Sequence, residues 1–240
     1  MSKTQIPTGG IADDAISEEH IDATVITAST ALTSAPADTD EFLISDAGTI
    51  KRIDASLVGG GGLTLLSSLS GTGVTDANAS VDSIFTSSFD VYRIVGFIAP
   101  SQDTEARVKL RASGSDISDG NYNYVNMSSA VPDSGSTITD QLHSSHGADF
   151  WEFASADINF DSSGDAVAFD FTLHDPNTNI LSRCYMTGHS VFRNGGSAKL
   201  YSELFGGGRE SNPNADGIKF FTSGGTMNNY RINIFGVKNS

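Results

Sequence analysis

Six residues between positions 122 and 151 carry side chains suited to recognition: Tyr122, Tyr124, His143, His146, Asp149 and the only tryptophan, Trp151. Aromatic faces stack on the apolar faces of sugar rings while carboxylates hydrogen-bond hydroxyls, so this set suits a ligand-binding surface that reads a cell-surface glycan. A Ser/Asp/Thr-rich loop over residues 131–141 lies among them. The competing reading places Phe150, Trp151 and Phe153 in the core of a sheet. A second candidate surface runs from Gly206-Gly207-Gly208-Arg209-Glu210 to Asn214, as an exposed tip or an ordinary surface loop.

Bond-breaking chemistry finds less support. Asp149 and Glu152 flank Trp151, but residues three apart on a strand point to opposite faces, unlike the facing carboxylates of a glycosidase. A nucleophilic serine needs a Gly-x-Ser-x-Gly elbow, and neither that motif, a Walker loop nor GxGxxG occurs. Asp157, Asp161 and Asp165 offer oxygens that calcium prefers, but their spacing is not that of an EF-hand and fits a hairpin turn equally well. His143 and His146 lack a third ligand in any recognisable pattern and read as a solvated loop. Cys184 stands alone in an apolar pattern, which excludes an intrachain disulfide and points to a buried thiol. No enzymatic activity, cofactor or metal is expected.

The elements that must position these residues are strands. Residues 165–174 alternate Val167, Phe169, Phe171 and Leu173 against polar neighbours, the pattern of a half-buried strand. Residues 91–98 form an apolar run suited to a strand covered on both sides, and Val108 and Leu110 alternate with a basic strip of Arg107, Lys109 and Arg111. Further strands are expected at 122–127, 150–153, 181–192 and 198–204. A hairpin of 218–222 with 230–237 follows, connected through Ser223-Gly224-Gly225. Eight or nine antiparallel strands predict a jelly-roll-like β-sandwich over residues 63–240.

Four consecutive glycines, Gly59 to Gly62, separate this domain from residues 1–58. Such a run favours neither a helix nor a strand interior and reads as a joint. Before it, isoleucine recurs every five residues at Ile6, Ile11, Ile16, Ile21 and Ile26. A spacing of five scatters side chains around a helix and flips faces on a strand. A pentapeptide β-helix would need many more coils, so each isoleucine reads as an apolar peg buried against partner chains. Residues 41–45 and 49–53 then predict a short hairpin around Asp46-Ala47-Gly48, marginal without neighbours.

These units, IADDAI and ALTSAPADTDEFLISDAGTIKRIDASLV, resemble the N-terminal regions of bacteriophage tail-fibre and related virion appendage proteins. The resemblance covers about 55 residues. It implies an extended, fibrous arm that trimerises and attaches to the phage particle.

Three basic and ten acidic residues give residues 1–58 a net charge of −7, and eleven against nineteen give the remainder −8. Such a chain is repelled by nucleic-acid phosphates and anionic lipid, so no nucleic acid or membrane insertion is expected. There is no leader-like apolar core after Met1, which fits synthesis in the bacterial host cytoplasm and incorporation into the virion. The expectation is an all-β structural protein: a short homotrimeric tail fibre bound to phage tail or capsid proteins through residues 1–58, contacting a host cell-surface glycan or protein through its distal sandwich. A capsid decoration or head-fibre protein and a glycan-degrading tailspike are the alternatives.

Overall fold

The computed structural model describes residues 36–37, 39–47, 49–58, 62–76, 78–132, 137–155, 166–180, 184–194 and 199–237. The isoleucine repeat, three of the four joint glycines and the three spaced aspartates 157, 161 and 165 lie outside the described residues. The chain divides into two compact units, Met1–Gly60 and Gly61–Ser240.

In the first unit, β1 (Glu41–Asp46) and β2 (Thr49–Asp54) form the antiparallel hairpin, with Phe42 opposite Ile53 and Ile44 opposite Lys51. One helical turn, α1 (Ala55–Val58), follows. Ala47 turns the chain with a φ of 50°. Phe42, Leu43 and Ile44 remain exposed on both faces, as expected of two strands with nothing to cover them.

The second unit is an antiparallel β-sandwich. Its strands are β3 (Leu63–Asp76), β4 (Asn78–Val81), β5 (Val91–Pro100), β6 (Ala106–Ala112), β7 (Ser115–Asp116), β8 (Tyr122–Pro132), β9 (Thr139–Ala148), β10 (Trp151–Ala154), β11 (Val167–His174), β12 (Tyr185–Asn194), β13 (Lys199–Arg209), β14 (Gly217–Thr222) and β15 (Met227–Val237). Eight form one sheet in the order β3-β15-β5-β11-β12-β13-β8-β9. Five form the other, β10-β6-β14-β4 with β7 beside β6.

Alternation in β11 places Val167, Phe169, Phe171 and Leu173 in the core. Phe153 and Phe220 of the small sheet meet Phe169, Phe171 and Phe205 of the large one, with Phe153 and Phe169 edge to face at 4.8 Å. Burying each of these rings stabilises the fold by roughly 2 kcal/mol or more. β5 buries Tyr92, Ile94 and Ile98 but leaves its other face only half covered, so the apolar run is a strand with one core face.

Several expectations change. Thirteen strands are present among the described residues of this unit, not eight or nine. The extra ones include the long β3 and the polar β9, neither of which was expected as a strand. His143 and His146 therefore lie on a strand, not in a loop. Residues 206–209 are likewise the end of β13, hydrogen-bonded between β12 and β8.

Candidate functional site

The residues expected at 122–151 do not form one exposed surface. Tyr122 and Trp151 are 0% exposed and meet edge to face at 5.0 Å, and Tyr124 is buried beside them on β8. The Tyr122 hydroxyl accepts from Leu110 N–H and donates to the Ile117 carbonyl. Trp151 Nε1 donates to the Gly208 carbonyl at 3.2 Å. The rings are core, satisfied from within, and offer no face to a sugar. For Trp151 this is the competing core reading; for Tyr122 and Tyr124 the polar tips disguised it in the sequence. Gly207 explains the fit: an added Cβ would stand 2.6 Å from Trp151 Cδ1, so the supposed loop tip is a strand backbone on which the indole packs.

His146 is solvent-facing, its side chain 81% exposed, with Nε2 3.1 Å from Glu210 Oε1. Asp149 accepts the Gly120 N–H at 3.0 Å and braces a turn. His143 alone reaches a partly buried polar cluster. Its Nδ1 stands 2.9 Å from Glu152 Oε1, without hydrogen-bond alignment, and its ring lies edge-on to Tyr124. Arg107 Nε donates to Glu152 Oε2 at 3.2 Å. Burial pushes the Glu152 carboxyl up to about 7 against the pull of Arg107. Burial also raises Glu203, although its carboxylate accepts both the N–H and the hydroxyl of Ser155. Both glutamates are sealed from solvent, at about 1% exposure or less.

An accessible cleft lies elsewhere, at one end of the sandwich. Three connections converge there: residues 82–90 before β5, 175–180 after β11, and 210–216 after β13. They enclose a cavity of about 530 Å³, within the size range of sites for small ligands. Pairing of Val91 with His174 brings the first two connections together. The Asp175 N–H donates to the Asp90 carbonyl at 2.7 Å, and the Asn214 N–H to the Thr178 carbonyl at 3.2 Å. Asn177 Nδ2 donates to the Phe85 carbonyl at 2.7 Å, and the Tyr92 hydroxyl ties down Thr86.

Asp175 and Asn214 take positive φ values of 46° and 42°, conformations that short polar side chains tolerate and that recur at functional sites. Phe89 is seated on Gly236, where an added Cβ would stand 2.6 Å from its ring. The described lining is hydroxyl, amide, imidazole and carboxylate with one aromatic ring, and no lysine or arginine is among the described lining residues. Its hydroxyls and amides can donate to and accept from the hydroxyls of a ligand. The raised glutamates Glu152 and Glu203 are not part of it, so Glu152, the carboxyl pushed up to about 7, stands apart from the cleft.

Asn214 is the one cleft residue within a segment the sequence offered as a recognition surface; Val91 and His174 were read only as strand residues. The Asn- and Asp-rich run 174–179, HDPNTN, gave a faint signal that reads as a turn until its neighbours are known, and residues 86–90 gave none.

Among the described residues no group of three or more His, Cys, Asp or Glu side chains is placed to hold a metal ion. No protein-family model, curated protein or solved structure matches the chain.

Proposed function

We propose that this chain is a virion appendage protein of a bacteriophage, a short trimeric tail fibre whose distal sandwich binds a neutral glycan of the host surface without cleaving it. The cleft at the sandwich end carries the reading. It presents convergent hydroxyls and amides beside Phe89 in a braced cavity, a composition that suits a polyol. The reading of binding rather than hydrolysis draws support from the burial of Glu152, whose carboxyl is pushed up to about 7, in the core away from the cleft.

Trimerisation draws support from apolar surface that a single copy leaves uncovered. On the outer face of the large sheet, Leu142, Met127 and Leu204 lie side by side on β9, β8 and β13, with Val125 and Leu200 nearby, all exposed. The hairpin adds Phe42, Leu43 and Ile44. Exposed apolar groups of this kind mark association surfaces.

Two measurements on the full chain test the proposal. Labelled protein should adsorb to host cells and block infection, and Ser87→Trp, which fills the cleft from an exposed position, should abolish both. A label at residue 1 should locate to the tail of the particle. Label on the capsid shell would instead make the protein a decoration or head-fibre component.

A further inference from the structure

The outer face of the small sheet carries a charge arrangement that stability alone does not explain. Lys109 on β6 and Lys219 on β14 stand directly opposite each other in the ladder. Like charges so placed repel and weaken the pairing. The other cations of the face are matched by carboxylates. Arg107 meets Glu105 and Glu152, Arg111 meets Asp82 and Asp116, and Lys219 meets Asp116 at 2.7 Å. Lys109 hydrogen-bonds a neutral partner, the Ser118 hydroxyl, at 2.9 Å, and feels the carboxylates of Asp116 and Asp149 only through space.

Both ammoniums lean on one ring, Phe221, at 5.2 Å and 5.7 Å from its centroid. Phe150 packs against Phe221 at 6.0 Å, and both rings are only partly buried. Ser80 continues the row beyond Lys219. The face thus combines two adjacent ammoniums, two hydroxyls and two adjoining aromatic rings, within a unit whose net charge is −8.

We infer that Lys109 and Lys219 form a second binding site, one that takes the carboxylate or phosphate of an acidic saccharide unit, with the sugar ring against Phe221. An anion between the two ammoniums would turn their repulsion into attraction, with Ser118 adding a hydrogen bond. Burial holds the Lys109 ammonium below the usual lysine range against the pull of Asp116, and Lys219 pushes it further down, so Lys109 gains from a closer counter-charge. A nucleic acid fits less well, because a polyanion needs several phosphate contacts and would meet the acidic remainder of the unit. The site shares no residue with the end cleft and holds whether or not that cleft binds anything.

Calorimetric titration of the full chain with oligogalacturonate, mannose 6-phosphate and neutral oligomannose tests the inference. At least one acidic probe should bind, with an affinity that falls as salt rises, and the two acidic probes distinguish carboxylate from phosphate. Lys109→Gln and Lys219→Gln should each weaken binding by about tenfold, the worth of one hydrogen bond to a charged group. Lys109→Gln should leave the thermal midpoint unchanged or higher, since it removes a like-charge contact. Ser87→Trp should leave acidic-probe binding intact. Failure of both acidic probes to bind, or binding indifferent to both lysines, would overturn the site. A DNA duplex that binds through the same lysines more tightly than either sugar would replace the saccharide reading.

Discussion

Glu152→Gln should change how the stability of this protein depends on pH. In the folded chain the Glu152 carboxyl holds its proton to about pH 7, against an ordinary value of 4.5, because burial disfavours its charge more than Arg107 favours it. A raised folded pKa contributes stability that is fully present below the unfolded pKa and is lost as pH rises through the folded one. Over that window the wild type gives up about 3 kcal/mol through this group, at about 1.4 kcal/mol for each pH unit. Glutamine is nearly isosteric with the protonated acid and does not titrate. The variant should match the wild type within about 1 kcal/mol at pH 5 and exceed it by about 3 kcal/mol at pH 8. For a unit of this size that is roughly 6 to 12 °C in thermal midpoint. Asp116 and Asp119, held low in part by Lys219 and Arg209, lose stability as pH falls, but they contribute alike to both proteins and cancel in the comparison. Urea denaturation of each protein at both pH values reads the difference directly. The same difference between variant and wild type at pH 5 and pH 8 would refute a buried, proton-holding Glu152.

Trp151→Ala should cost about 3 to 5 kcal/mol by emptying a fully buried site, so that lost adsorption in this variant accompanies unfolding in a melt. Gly207→Ala should destabilise by about 1 to 3 kcal/mol, since the new methyl group meets Trp151 and the Asn123 carbonyl at 2.6 to 2.9 Å. Cys184 is buried and its thiol is pushed up to about 12, so it should resist a thiol reagent until denaturant is added; rapid labelling of the native protein would contradict that burial. Met127→Asp together with Leu142→Asp should shift sedimentation equilibrium from the proposed trimer toward the 25.2 kDa monomer while leaving the circular dichroism spectrum unchanged.

Strands with one apolar face were legible because their period of two is written in residue types: Val167 to Leu173 and Val108 with Leu110 needed no partner to be recognised. Strands made of polar residues were not. β9 shows no apolar alternation because it sits at the edge of the large sheet with most of its side chains in water, so it read as a loop. The glycines of β13 misled for a different reason. Their missing side chains serve Trp151 on another strand, a packing requirement absent from local sequence. Tyr122 and Trp151 looked like ligand-stacking residues because an aromatic with a polar tip suits a surface as well as a core whose carbonyls can meet that tip. The cleft was hidden in another way again, since its three connections come together only through strand pairing.

Glycan binding by the cleft is the central claim, and an array of neutral and acidic surface glycans probed with the full chain and with Ser87→Trp addresses it most directly. The wild type should bind neutral glycans, and the cleft-filled variant, melting at the same temperature, should not bind them. No neutral glycan bound by the wild type, or equal binding by both proteins, would contradict the claim.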